Sequence, residues 1–350
     1  MDNTVNNMKI AVVIPCYKVK AHILGVVEAI GPEVDYIYLV DDCCPEQSGN
    51  YALHHINDPR MKVIKNSINL GVGGAVMRGY QQALLEGATI IVKIDGDGQM
   101  DPKFIGQLIQ PIVDKIADYT KGNRFYNLEK LSAMPKIRMF GNAVLSFLTK
   151  LSSGYWDIFD PTNGFTAIHA NVASHLPFDK ISKRYFFESD MLFRLNTLRA
   201  VVFDVPLDAS YGDEISNLKI RQVAGEFLIK NIKNFFKRIF YNYYLRNMSI
   251  ASLELPIGLG LFLFGTIFGA MQWYSNAQQH TQTPTGTIML ATLPTLMGLQ
   301  LILAFLNYDI NAVSKYPLHL RLSKKIEHQN IEATSVAKLT PSPSECSSNT

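Results

Sequence analysis

Thr89-Ile90-Ile91-Val92-Lys93-Ile94-Asp95-Gly96-Asp97-Gly98-Gln99 decides the reading of this chain. A β-branched run of strand length stops on two carboxylates set one residue apart. At the end of a buried strand, such carboxylates can converge on one hard cation. Oxygen ligands suit Mg2+ or Mn2+, which would also hold a diphosphate and neutralise charge on a departing nucleotide.

Working outward toward the N-terminus, strand-like and helix-like segments alternate. Ile10–Pro15, Tyr36–Val40 and Met61–Lys65 read as strands; Ala21–Ile30 and Gly74–Glu86 read as helices. The alternation predicts an α/β fold: a Rossmann-like, mostly parallel sheet flanked by helices. Ligands of such sheets bind beyond the carboxyl ends of the strands. Polar residues gather there: Tyr17 after the first strand, Asp41 and Asp42 after the second, Asp95 and Asp97 after the fourth. Asp41 and Asp42 read equally well as contacts to a nucleobase or ribose and as turn-forming aspartates. In Asn69-Leu70-Gly71-Val72-Gly73-Gly74-Ala75, glycines let backbone approach a ligand, and a helix N-terminus there attracts negative charge. The spacing fits neither a Walker A loop nor the dinucleotide fingerprint.

The second half differs. In Lys219–Arg246, Ile220, Val223, Phe227, Ile232, Phe235, Ile239 and Tyr243 recur every three or four residues among Lys230, Lys233, Lys237 and Arg238. This predicts a basic amphipathic helix in the headgroup plane. Residues 255–274 and 287–308 carry no charge and are long enough to span a bilayer. Trp273, Tyr274 and Tyr308 suit the interfacial belt. Lys and Arg are absent between the spans and present on both outer flanks, which predicts a cytoplasmic catalytic domain. The expected division is a flexible N-terminus (1–9), a catalytic domain (10–218), an interfacial helix region (219–249), a transmembrane hairpin (250–310) and a largely disordered cytoplasmic tail (311–350). A net charge of +3 over 350 residues gives no case for nucleic acid. Cys16, Cys43, Cys44 and Cys346 lack metal-ligand spacing and read as reduced thiols. The polar Met1–Lys9 has no apolar core of a secretory signal.

In order, the motifs are Val13-Ile14-Pro15-Cys16-Tyr17, Val40-Asp41-Asp42, Asn69-Leu70-Gly71 with Gly73 and Ala75, and Asp95-Gly96-Asp97-Gly98-Gln99. Together they resemble the family 2 glycosyltransferases of GT-A fold. Gln99 with Pro102, Gly122-Asn123-Arg124-Phe125, Thr162-Asn163-Gly164-Phe165 and Phe187-Glu188-Ser189-Asp190 resemble the branch of dolichyl- and polyprenyl-phosphate sugar synthases. The resemblance covers roughly residues 10–218. It implies nucleotide-sugar contacts at Pro15, Tyr17, Asp41, Asp42, Asn69, Gly71 and Asp95, and metal ligands at Asp95, Asp97 and Gln99. It further implies acceptor-phosphate contacts at Arg124 and Arg138, and an acidic group near the sugar or acceptor at Asp190. Asp97, Arg124 and Asp190 are the catalytic candidates.

The chain departs from the branch after Val205-Pro206-Leu207. An Arg and a Ser-Lys are expected, whereas Tyr211-Gly212-Asp213-Glu214-Ile215-Ser216-Asn217-Leu218 holds neither Arg nor Lys. The implied reaction is metal-dependent, inverting transfer of a sugar from a nucleotide diphosphate sugar to a polyprenyl phosphate. It would occur at the cytoplasmic face of a bacterial inner or plasma membrane, in the service of envelope glycan synthesis. A homo-oligomer through the hairpin is also among the expected partners. Two alternatives stay open: a transferase acting on a lipid-linked saccharide hydroxyl, and a non-catalytic subunit of a glycan assembly complex.

Overall fold

The structure is a computed structural model that describes residues 8–123, 136–161, 163–207 and 220–322. The chain divides into two compact units. One comprises Met1–Arg138, Ile158–Asn217 and Ser314–Thr350; the other comprises Met139–Asp157 and Leu218–Val313.

The first unit is built on a seven-stranded sheet. Its strands are β1 (Ile10–Cys16), β2 (Tyr36–Asp41), β3 (Met61–Lys65), β4 (Ile90–Lys93), β5 (Tyr119–Asn123), β6 (Thr166–His169) and β7 (Val202–Pro206), in the order β3-β2-β1-β4-β6-β5-β7. Pairing is parallel from β3 through β4 and between β5 and β7; β6 runs antiparallel to both of its neighbours. This is the mostly parallel sheet the alternation predicts. Val12, Ile14, Ile37, Leu39, Ile90 and Val92 form one continuous core with helices α1 (Ile23–Glu28) and α4 (Ile105–Val113). Strands buried on both faces need near-continuous apolar runs, which is why their bounds could be read from sequence. On the other face, α3 (Val72–Leu85) lies on β1 through Gly79, where a Cβ would strike Val13. A short α2 (Ser48–His55) follows β2.

Two consequences of the topology position the site. The carboxyl ends of β1, β2 and β4 share one edge, with Cys16 beside Asp41 and Val13 beside Lys93. Because β6 is antiparallel, its first residue, Thr166, pairs with Lys93. The preceding Asn163–Phe165 is thereby delivered to the same edge. After β6 come a single turn, α6 (Ala170–Ala173), and the longer α7 (Phe187–Leu198).

Residues 314–322, which fall within the expected tail, belong to the first unit. Asp118, fully buried just before β5, accepts four hydrogen bonds. They come from Val201 N and Leu318 N, both at 2.7 Å, His319 N at 2.8 Å, and the His319 ring at 2.7 Å. The rings of His169 and His319 stack at 4.4 Å.

The second unit is helical: α5 (Lys136–Ser153), α8 (Ile220–Phe240), a π-helical turn over Tyr241–Arg246, α9 (Ala251–Gln278) and α10 (Thr285–Asn311). The last two, of 28 and 27 residues, are long and apolar enough to cross a membrane. They meet through small residues. A Cβ on Gly265 would lie 2.6 Å from Ala291 O, and one on Gly298 would lie 2.7 Å from Gly258 O. Such residues let membrane helices approach closely. At the end of α10, Asp309 accepts from both terminal nitrogens of Arg238 (2.6 and 2.9 Å), Tyr243 Oη (2.6 Å) and Trp156 Nε1 (3.2 Å).

The apolar row expected along α8 divides. Ile239 and Tyr243 are buried, but Ile232 faces outward with Leu228, Ile229, Phe236 and Phe240. Asn231, Asn234 and Arg238 take the inner side. Ser152 Oγ donates to Asn231 and Arg238 bonds Asp309, so polar pairing sets which face is inside.

Candidate active site

Asp41 closes β2 and is buried. Its oxygens accept Cys44 N (2.8 Å) and Gly49 N (3.0 Å), so it holds the turn into α2. Asp42, also buried, accepts Asn66 Nδ2 (2.8 Å) and Leu70 N (2.8 Å) on one oxygen and Gly71 N (2.7 Å) on the other. Asn69 Nδ2 reaches the Asp42 carbonyl at 3.3 Å. Of the two readings left open for these aspartates, the turn-forming one describes the bonds present. A carboxylate at this position gathers donors that would otherwise be unsatisfied.

Pro15 ends β1, and Tyr17 follows with its ring 45% exposed beside the Lys18 ammonium. Cys16 and Cys44 are buried, Cys43 is exposed, and all three are free. Gly71 has φ +84°, a conformation that excludes ordinary side chains, and it caps the start of α3.

At β4, Lys93 is fully buried and bridges Asp95 Oδ1 (2.8 Å) and Glu188 Oε1 (3.3 Å). Burial alone would lower its pKa, but these two carboxylates outweigh burial and raise it, so the ammonium is charged. Gly164 lies against this pair. A Cβ there would overlap Lys93 Nζ and come within 2.6 Å of Asp95 Oδ2. Asp97 accepts Gln99 N at 3.1 Å, with Gly98 between them at φ +78°. Asp95 and Asp97 are partly open to solvent, and Gln99 is exposed.

Lys121 on β5 is a second buried lysine, and its ammonium donates to Asn163 O. Burial pushes its pKa down to about 8. Asn163 in turn donates to Gly122 O (2.6 Å) and accepts Phe165 N (2.9 Å), which fixes the segment beside Asp95. Asp190, in the first turn of α7, is buried and accepts Ser182 N at 2.9 Å. Arg124 lies outside the described residues. Arg138 falls on α5, and its side chain is likewise outside them.

The fold thus brings together Asp95, Asp97, Gln99, the Asn69–Gly71 turn and the start of α7. The sequence reading missed Lys93, Lys121 and the partner role of Glu188. A lysine inside an otherwise apolar strand is the signal that could have found the first. Among the described residues, no group of three or more His, Cys, Asp or Glu side chains is close enough to enclose a metal ion alone. The donor set available is two carboxylates and an amide, all hard oxygen ligands that leave coordination positions for a substrate's phosphates.

Comparison with known proteins agrees with the motifs. Residues 11–176 match the family described as Glycosyl transferase family 2. A UDP-N-acetylglucosamine–dolichyl-phosphate N-acetylglucosaminyltransferase of Methanococcus voltae is 34% identical over 148 residues. That match covers 42% of this chain and 59% of the relative, less than two thirds of its length. The undecaprenyl-phosphate mannosyltransferase of Micrococcus luteus is 28% identical over 205 residues, covering 57% of this chain and 83% of the relative. In fold, the chain is similar to the glucosyl-3-phosphoglycerate synthase of Mycobacterium tuberculosis in complex with Mn2+, UDP and phosphoglyceric acid. The TM-score is 0.50 at 18% identity, over 67% of this chain and 80% of that one.

Proposed function

We propose that this chain, which carries a family 2 glycosyltransferase domain, moves a sugar from a nucleotide diphosphate sugar to a polyprenyl phosphate at the cytoplasmic face of a membrane. The observation that carries the reading is Asp95-Gly96-Asp97 at the carboxyl end of β4, beside the Asn69–Gly71 turn's edge of the sheet, in a chain with two helices of membrane-spanning length. The names of the relatives support a lipid-phosphate acceptor.

Asp95, Asp97 and Gln99 would hold Mg2+ or Mn2+. When bound, the ion supplies positive charge to the leaving nucleotide diphosphate. Lys93 fixes one oxygen of Asp95 and leaves Oδ2 beside Gly164, where the absence of a side chain keeps that oxygen approachable.

A phosphate acceptor is already an anion near neutral pH and needs no general base; it needs positioning and charge stabilisation. A hydroxyl acceptor would need a base, and Asp190 is the carboxylate the resemblance offers. Its Oδ2 is engaged by Ser182 N inside the protein. That bond favours the phosphate acceptor over the saccharide hydroxyl. Arg124 is the proposed contact to the acceptor phosphate, and single displacement with inversion is the proposed course.

The test is transfer by the purified full chain in detergent, using radiolabelled UDP- and GDP-sugars with polyprenyl phosphate and, in parallel, lipid-linked saccharides as acceptors. A labelled lipid that releases its sugar on mild acid is expected. Label appearing only on lipid-linked saccharides would replace this reading with the hydroxyl one. No transfer from any donor in the panel would remove both.

A further inference from the structure

We propose that Lys183 and Arg184 form a phosphate-binding element of this site; the inference rests on the glycosyltransferase reading above and deepens it. Both side chains are exposed, and neither has a hydrogen-bond or ion-pair partner among the described residues. Their backbone, by contrast, is held firmly. Gly74 N donates to Lys183 O at 3.1 Å, and Ser182 N donates to buried Asp190 at 2.9 Å. Phe187 N donates to Arg184 O at 2.9 Å, and Glu188 is ion-paired to buried Lys93.

The segment also rides directly on the glycine turn. A Cβ on Gly71 would lie 2.6 Å from Lys183 O and 2.9 Å from Arg184 Cγ, and one on Gly73 would overlap Ser182 O. The stem of Arg184 therefore lies over Gly71. A cation on a braced backbone is pre-organised, so less ordering entropy opposes binding.

Several of the turn's amides are already engaged. Leu70 N and Gly71 N are engaged by Asp42, and Gly74 N by Lys183 O. Lys183 and Arg184 add two cationic donors above the turn. The segment between residues 207 and 218, where a further cation is expected, contains no Lys or Arg. A guanidinium beside an ammonium suits a phosphate ester or diphosphate. Two sources are compatible: the diphosphate of the donor and the phosphate of the acceptor lipid.

The experiment uses the full chain in detergent and compares wild type with Lys183→Gln/Arg184→Gln and with Arg184→Lys. Binding of UDP and GDP is titrated beside uridine and guanosine. The apparent KM for polyprenyl phosphate is measured with donor saturating. Because both side chains are exposed and unpartnered, the melting temperature should match wild type. The double variant is expected to lose about ten- to a hundredfold in affinity for one phosphate ligand, with partial recovery in Arg184→Lys. A loss for the nucleoside diphosphate, with the nucleoside unchanged, assigns the element to the donor. A raised KM for the lipid phosphate alone assigns it to the acceptor. Wild-type binding of both ligands with the double variant within twofold overturns the proposal and leaves the functional reading intact. A wild type that binds neither nucleoside diphosphate and transfers nothing removes the functional reading and this element with it.

Discussion

Asp118→Asn should unfasten the chain where it returns to the first unit after α10. Asp118 is fully buried and its two oxygens serve four donors, three of them at 200 or more residues' separation in sequence. Asparagine offers one oxygen, and its amide nitrogen would face the donors of the other. Leaving two buried donors unmet costs about 1–3 kcal/mol each, or roughly 2–6 kcal/mol in all. Against a total stability of about 5–15 kcal/mol this is large. At roughly 2–4 °C per kcal/mol, the melting temperature should fall by about 10 °C. The assay is thermal unfolding of the full chain in detergent, with hydrogen exchange of the Leu318 and His319 amides as a local readout. A melting temperature within about 2 °C of wild type, with both amides still protected, would refute the reasoning.

The same cluster sets an acid limit. Burial first, and then the neighbouring His319, push His169 down from 6.5 to about 4. Its Nδ1 accepts Asn171 N at 3.1 Å, a bond a protonated nitrogen cannot accept. The unfolded chain therefore binds the proton before the folded one. Stability fully present above about pH 6.5 is lost as pH falls toward 4, by roughly 3 kcal/mol. Burial raises the pKa of Asp118, but bonds from His319, Leu318 and Val201 outweigh it and hold the carboxyl low, so its contribution is lost only at more acid pH. His169→Asn should remove the loss between pH 6.5 and 4.

Four further outcomes are expected. EDTA should abolish transfer and Mn2+ or Mg2+ restore it, while Asp97→Ala that is fully active in chelator would exclude the ion from the reaction. Arg124→Ala should raise the apparent KM for polyprenyl phosphate about ten- to a hundredfold, with Arg124→Lys recovering part of it and donor affinity unchanged; a loss confined to the donor would reassign the residue. A cysteine placed at Ser275 should react with an impermeant reagent outside intact cells and one at Ser323 should not, the reverse pattern overturning the orientation. Gly298→Leu would drive a side chain into the Phe262 backbone, so the α9–α10 pair should lose about 1–3 kcal/mol in detergent unfolding, whereas Gly260→Leu, with open space around it, should be near neutral.

What the sequence made legible was what depends on local pattern. β1, β2, β3 and β4 fall within a residue or two of their expected bounds because buried parallel strands must be apolar on both faces. The two long helices likewise announce themselves by length and lack of charge. The missed features depend on pairing across long separations. β6 is four residues long and takes its place only by lying antiparallel to β4, more than 70 residues earlier. On α8, Asn231, Asn234 and Arg238 take the inner face with their partners while Ile232 is exposed, a division that no local row of apolar residues sets. His319 docks on a carboxylate that no local pattern connects to it.

The candidate site divides along the same line. Sequence placed carboxylates at the ends of β2 and β4 and gave the second pair to a metal, but left the first pair open between ligand contact and turn, because residue type does not reveal which donors a carboxylate has already accepted. In the structure, Asp41 and Asp42 are surrounded by backbone amides that they satisfy, and removing either would leave buried donors unmet. Asp95 keeps one oxygen on Lys93 and the other beside Gly164, while Asp97 takes one local amide. Asp41 and Asp42 are buried, whereas Asp95 and Asp97 are partly open to solvent. Lys93 explains why a carboxylate can sit there at all. Its buried ammonium compensates Asp95 and Glu188 together and joins the end of β4 to the start of α7. Lys93 thus ties Asp95 to the helix that follows Lys183 and Arg184, and a substitution at Lys93 should disturb both ends of that connection at once.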